Sequence, residues 1–135
     1  MVKGLFFVFS RATSPENEPE YNEWYDTVHG PSIQVKNSGV VAVSRYAIEE
    51  VTEGTRPGND PSTPDRNVLG QTHAAIYEIE ADDEDGLKAV IRGIRERKEN
   101  GEYRMSSSLD LSPEGKPVLY LFRPLDETQS VSILP

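Results

Sequence analysis

The sequence predicts an α+β fold: a four-stranded antiparallel sheet with two helices on one of its faces. Three observations point there. A Phe-rich apolar run, LFFVFS at residues 5–10, has strand length and suits a central strand covered on both faces. An aromatic stripe at helical spacing (Tyr21, Trp24, Tyr25, Val28) follows it. Two further alternating segments, residues 40–48 and 71–80, then precede a second helical pattern.

In order, Ser14-Pro15 or Asn17 with Pro19 supplies helix-start chemistry, a capping oxygen followed by Pro in the first turn. The first helix is expected to break at Gly30-Pro31, because Pro31 has no N–H for the Thr27 carbonyl, and one more turn can follow before Asn37-Ser38-Gly39. The strand at 40–48 places Val41, Val43, Arg45 and Ala47 on one face and Val40, Ala42, Ser44, Tyr46 and Ile48 on the other. Residues 52–67, with three Pro and two Gly, read as a long loop of the kind that serves as a lid or binding arm. The strand at 71–80 has His73, Ala75, Tyr77 and Ile79 on one face. Asp82 or Asp83 caps the second helix, whose apolar side is Leu87, Val90, Ile91 and Ile94, and Asn100-Gly101 closes it. Residues 106–111 are expected to form a strand leading to a last one at 118–122, with a tail over 124–135. The result is one domain over 1–135 with the order β-α-β-β-α-β, the ferredoxin-like plan. Its second sheet face needs a cover, and a second copy of the chain, packed face to face, is the expected one.

Composition narrows the functional classes. The chain of 135 residues carries 23 acidic and 14 basic residues, a formal charge of −9, which argues against nucleic acid and anionic membrane surfaces. The densest basic group (Arg92, Arg95, Arg97, Lys98) reads as a solvated helix end that suits the macrodipole. With no cysteine, disulfides, thiolate chemistry and cysteine zinc sites drop out. Two His far apart make a poor metal site, and neither a phosphate loop nor a nucleophile elbow is present. No cofactor, no metal and no membrane span are expected, and the expected location is cytoplasmic. A mean hydropathy of −0.58 is polar, which again favours a partner subunit.

His29 is the leading candidate for chemistry, since imidazole alone has both proton states within reach near neutral pH. A His at a helix end could equally cap its own helix, and the residues leave both roles open. Asp26, one turn earlier, could orient His29, or make an ordinary surface contact. Asn22 projects with His29 at helical spacing and could bind a substrate carbonyl, or remain an exposed polar residue. Trp24 and Tyr25 pack on the sheet and can also wall a pocket for a flat apolar ligand. His73 and Tyr77 share a face that looks either to the helices, making His73 a second acid or base, or to the partner subunit, which is the expectation here. Tyr46 could be a phenolic acid or a core residue with its hydroxyl at the rim. Arg45 could hold a carboxylate, or pair with an acidic residue of the chain.

The stretch Glu20-Tyr21-Asn22-Glu23-Trp24-Tyr25-Asp26-Thr27-Val28-His29-Gly30-Pro31, with Val41-Ala42-Val43-Ser44-Arg45-Tyr46 and Ala75-Ile76-Tyr77-Glu78-Ile79, resembles the EthD-like branch of the dimeric α+β barrel superfamily. The likeness runs from the first strand to the end of the second helix; the loop at 52–67 and the segment from 104 onward depart from the family pattern. It implies a homodimer with a pocket between sheet and helices in each subunit, and it favours a reactive role for His29. The implied function is a cofactor-free enzyme of lyase, cyclase, isomerase or dehydratase type, acting on a small aromatic or polyketide-like molecule by His-mediated proton transfer. The alternatives are a non-catalytic binding or accessory protein of a catabolic pathway and a structural module with a filled pocket.

Overall fold

The computed structural model describes residues 1–49 and 70–125. It contains strands β1 (Val2–Ser10), β2 (Val40–Ala47), β3 (His73–Ala81) and β4 (Val118–Phe122). They form one sheet in the order β2-β3-β1-β4, antiparallel at every pairing, with β1 and β3 in the centre. The helices are α1 (Glu18–Trp24), a π turn (Tyr25–His29) and α2 (Gly30–Lys36), which run on without interruption, and α3 (Glu84–Glu99). This is the ferredoxin-like plan that the order of elements predicts. The expected loop at 52–67 and most of the expected tail lie outside the described residues.

Antiparallel register fixes which side chains meet the helices. Gly4, Phe6, Val8 and Ser10 of β1 stand opposite Ile79, Tyr77, Ala75 and His73 of β3. That row faces the helices: Phe6, Tyr77 and Ile79 belong to the core, together with Tyr21, Trp24 and Tyr25 of the first helical run and Leu87 and Ile94 of α3. His73 and Tyr77 therefore look at the helices, and the expectation that they face a partner subunit is corrected. The cause is the parity of β3: its helix side is the one that pairs with Phe6.

The predicted faces of β2 are also corrected at two residues, Val40 and Val41. Val40 stands opposite Ile79 and Ala42 opposite Glu78, so Val41 is an extra residue, a β-bulge. The bulge brings Val40 (4% exposed) to the helix side together with Val43 and Arg45, and turns Val41 out to solvent.

The expected helix break at Gly30-Pro31 does not occur. Pro31 offers no N–H, and the helix accommodates this by widening: the Gly30 N–H reaches back five residues to the Tyr25 carbonyl. Gly30 also permits a close approach, since a Cβ there would lie 3.1 Å from the Tyr25 carbonyl oxygen and 3.5 Å from Val43. The run ends at Asn37, whose side-chain amide donates to the Ile33 carbonyl (2.8 Å) and to the Tyr103 hydroxyl (2.9 Å). Helix α3 starts at its Asp83 cap, which accepts from the Gly86 N–H at 2.7 Å. It stops at Gly101, φ 73°, with Gly101 N–H to Lys98 O and Glu102 N–H to Arg97 O, a Schellman pair.

Residues 106–111 do not form the expected strand. They contribute one bridge, Ala12 to Leu109, and the segment is tied down instead by Arg11 on Asp110 (2.8 Å) and Gln71 on the Lys116 carbonyl (2.9 Å). Hydrogen bonds from Ser112 and from Arg11 hold the Asp110 carboxyl below its ordinary pKa.

Candidate functional site

Between the π turn, α2, α3 and the β1–β4 half of the sheet lies a cavity of about 320 Å³. Phe6, Val8, Ile33, Ile94 and Leu109 are among its apolar lining, and His29, Tyr25, Tyr103 and Ser10 are the uncharged polar groups on it. The widened turn delivers His29 to this wall. Its ring lies flat against Trp24 (4.5 Å between centroids, 20°) and meets Tyr25 and Tyr103 edge-on at 5.1 and 5.8 Å. Its Nδ1 is buried with no hydrogen-bond partner among the described residues. Burial first, and then the charge of Lys98, lower its pKa from 6.5 to about 4, so the imidazole is neutral at physiological pH. Because the helix continues beyond it, His29 has no helix end to cap.

Trp24 fixes this arrangement from behind, donating its indole N–H to the Arg104 carbonyl at 2.8 Å. Its other side borders an outer groove of about 460 Å³ between the first helix and residues 104–107. Tyr25 connects inward: its hydroxyl is 3.2 Å from that of Tyr77. Burial raises both phenols, Tyr77 to about 12, so they stay protonated and act as hydrogen-bond donors.

A second cluster adjoins the cavity behind Tyr25. The Arg45 guanidinium lies over the rings of Tyr25 (4.5 Å) and Tyr21 (5.2 Å) and pairs with Asp26 at 2.9 Å. Asp26 therefore points to β2 and away from His29. Tyr21 hydrogen-bonds to the Ser10 hydroxyl and meets His73 edge-on at 5.3 Å. His73 is held by Thr72 (2.8 Å to Nδ1) and lies 3.9 Å from Glu18; burial, followed by Arg45, lowers its pKa. Its place is at the far side of Tyr21, and it does not line the cavity.

Of the residues singled out in the sequence, His29 and Tyr25 line the cavity, with Trp24 stacked behind His29 and off the wall, and Tyr77 one hydroxyl behind Tyr25. Arg45, Asp26 and His73 form the adjoining cluster. Asn22 is half-buried and off the cavity wall, because the π turn adds a residue and rotates His29 out of line with it. Tyr46 stands opposite Ala74 on the other face of the sheet, 58% exposed. Sequence reasoning missed Ser10, Lys98 and Tyr103. Helical periodicity places Lys98 one turn beyond Ile94, a signal that was available; Ser10 and Tyr103 carried none. Among the described residues no group of three or more His, Asp or Glu is placed to hold a metal ion, and no helix is long and apolar enough to cross a membrane.

No protein-family model and no curated protein matches the chain. Several solved structures are similar to it, among them these three. An ethyl tert-butyl ether D (EthD) family protein from Bacillus halodurans C-125 shares 14% identity at a TM-score of 0.47, covering 93% of this chain and 100% of that one. A protein from Arabidopsis thaliana shares 15% at 0.46, covering 93% and 97%. A dimeric ferredoxin-like protein of unknown function from Thermobifida fusca YX shares 12% at 0.39, covering 91% and 92%.

Proposed function

We propose that the protein is a cofactor-free enzyme that binds a small, partly aromatic or polyketide-like molecule in the His29 cavity and moves a proton on it, as a lyase, cyclase, isomerase or dehydratase does. The observation that carries this reading is a neutral imidazole on the wall of an otherwise largely apolar cavity, its buried Nδ1 without a hydrogen-bond partner among the described residues. Such an imidazole can take a proton from an acidic C–H, and a phenol such as Tyr25 can donate to the developing oxyanion. A thermal-shift screen of aromatic acids, phenols, lactones and polyketide fragments identifies ligands, and turnover of the hits follows. His29→Ala is expected to lower turnover roughly 100-fold, the lower end for general acid–base catalysis, with ligand binding retained. Full turnover in that variant overturns the assignment.

One feature favours a second reading, a non-catalytic binding protein. An imidazole with a pKa of about 4 is a weak base, and Asp26, the group that could strengthen it, is engaged by Arg45. Ligand-induced stabilisation without product, unchanged in His29→Asn, supports that version.

We also propose that the protein is a homodimer, joined through the sheet face opposite the helices. Phe7, Phe9, Tyr120 and Phe122 (49% exposed) form a continuous aromatic row there, and Leu5 (39%) and Tyr46 (58%) extend it. Exposed apolar surface of this extent marks an interaction site. Phe122→Lys is expected to weaken the dimer about tenfold or more, the effect of burying an unpaired charge, as read by sedimentation equilibrium. A wild-type monomer at micromolar concentration refutes the dimer.

A further inference from the structure

The charges on the cavity wall run against those of the chain. The sequence has 23 acidic and 14 basic residues, yet the wall carries Arg95, Lys98 and Lys116 and no Asp or Glu. Three other cations are paired, Arg97 with Glu102 at 2.9 Å, Arg11 with Asp110 at 2.8 Å and Arg123 with Glu84 at 3.6 Å, whereas Lys36, Lys88, Arg92 and Arg104, off the wall, have no ion-pair partner among the described residues. Arg95, Lys98 and Lys116 have no ion-pair partner among the described residues. A helix end explains Arg95 and Lys98 in the last turns of α3, where cations suit the dipole. It does not explain Lys116, which arrives on the loop before β4. The opposite wall is Phe6, Val8, Ile33 and Leu109. The cavity is thus mainly apolar at depth, its charged groups are all cationic and stand at the exposed rim beside Met105, Leu111 and Leu119, and the charge of Lys98 is felt at His29.

We infer that the ligand of this cavity is an organic carboxylate with an apolar, ring-sized body, the body lying against Phe6 and Ile33 and the carboxylate held at the rim by Arg95, Lys98 and Lys116. The inference rests on the proposed reading of the cavity as the ligand site and is independent of whether His29 transfers a proton. Charge-assisted bonds to the rim would orient the ligand with its neighbouring carbons towards the imidazole.

The test is a calorimetric comparison of naphthoate with its neutral isostere naphthamide, near neutral pH and at low salt. The wild type is expected to favour naphthoate roughly tenfold, the summed effect of exposed charge pairs each worth a few-fold. The preference is expected to vanish in Lys98→Glu/Lys116→Glu, with Lys98→Gln/Lys116→Gln as the milder pair if charge reversal impairs folding. It should persist in Lys88→Glu/Arg92→Glu, which makes the same change in net charge on α3 away from the wall. It should also persist in His29→Ala, so that loss of catalysis and loss of anion selection are separate results. Equal binding of the two probes, a preference that survives loss of both lysines, or no saturable binding of either at millimolar concentration each overturns the inference. A tenfold preference without turnover of any carboxylate sustains it and removes the proton-transfer reading instead.

Discussion

Trp24→Ala is expected to lower the free energy of unfolding by about 3–5 kcal/mol, the range for removing a large aromatic from a core. The indole is 7% exposed, lies edge-on to Tyr25 at 5.4 Å and flat on His29, and satisfies the Arg104 carbonyl through its N–H. Truncation opens a void and leaves that carbonyl without its donor. Trp24→Phe restores most of the contact area and should cost less, with about 1 kcal/mol of the remainder due to the missing hydrogen bond. A second readout follows from the electrostatics. Burial is the main reason that His29 has a low pKa, and Trp24 supplies much of that burial. In Trp24→Ala water reaches the ring, and its pKa should rise towards 6.5. Denaturant curves and an NMR titration of the imidazole check the two effects separately. A stability loss below about 1 kcal/mol, or a ring that still titrates near 4, contradicts the assigned role of Trp24.

The parts of the fold that could be read from the sequence are those set by local pattern. Tyr21, Trp24 and Tyr25 recur at helical spacing and are buried; Asp83 and Gly101 bound α3 through capping chemistry that depends on a few adjacent residues. The errors arise where a local rule meets a long-range constraint. A proline inside a helix usually breaks it, but here Tyr21, Trp24 and Tyr25 before the turn and Ile33 after it belong to the same core, and a single widened turn costs less than unpacking either half. Alternation along β2 is sound from Val43 onward and fails only at the bulge, which no residue at 40–42 announces. The orientation of His73 and Tyr77 depends on the pairing of β3 with β1, a register no single strand contains. The candidate site divides in the same way. His29 stands out by residue type. Tyr103, Lys116 and Leu109 reach the cavity on a segment with no periodicity, held by contacts such as Arg11–Asp110 between residues 99 positions apart.

Acid should weaken the fold in a window set by His29. Its pKa is about 4 in the folded chain and 6.5 as an unperturbed side chain. Above pH 6.5 neither state holds the extra proton, and the fold keeps its full stability. As the pH falls through 6.5 the unfolded chain takes up the proton first, so unfolding is favoured; below about 4 both states are protonated and the slope disappears. Each tenfold difference in proton affinity between the two states is worth about 1.36 kcal/mol, which brings the full effect to about 3 kcal/mol. His73, lowered in the same direction by burial and by Arg45, adds to the slope, while Glu18 and Asp26 oppose its lowering. The contribution of His29 is isolated by His29→Gln, which keeps a polar side chain at the position and cannot titrate. Urea denaturation at neutral pH and again near the lower end of the window should show a smaller loss for the variant than for the wild type, by about 2–3 kcal/mol. Equal losses in the two proteins would mean that the imidazole is already open to water, and the desolvated base on which the proposed chemistry depends would go with it.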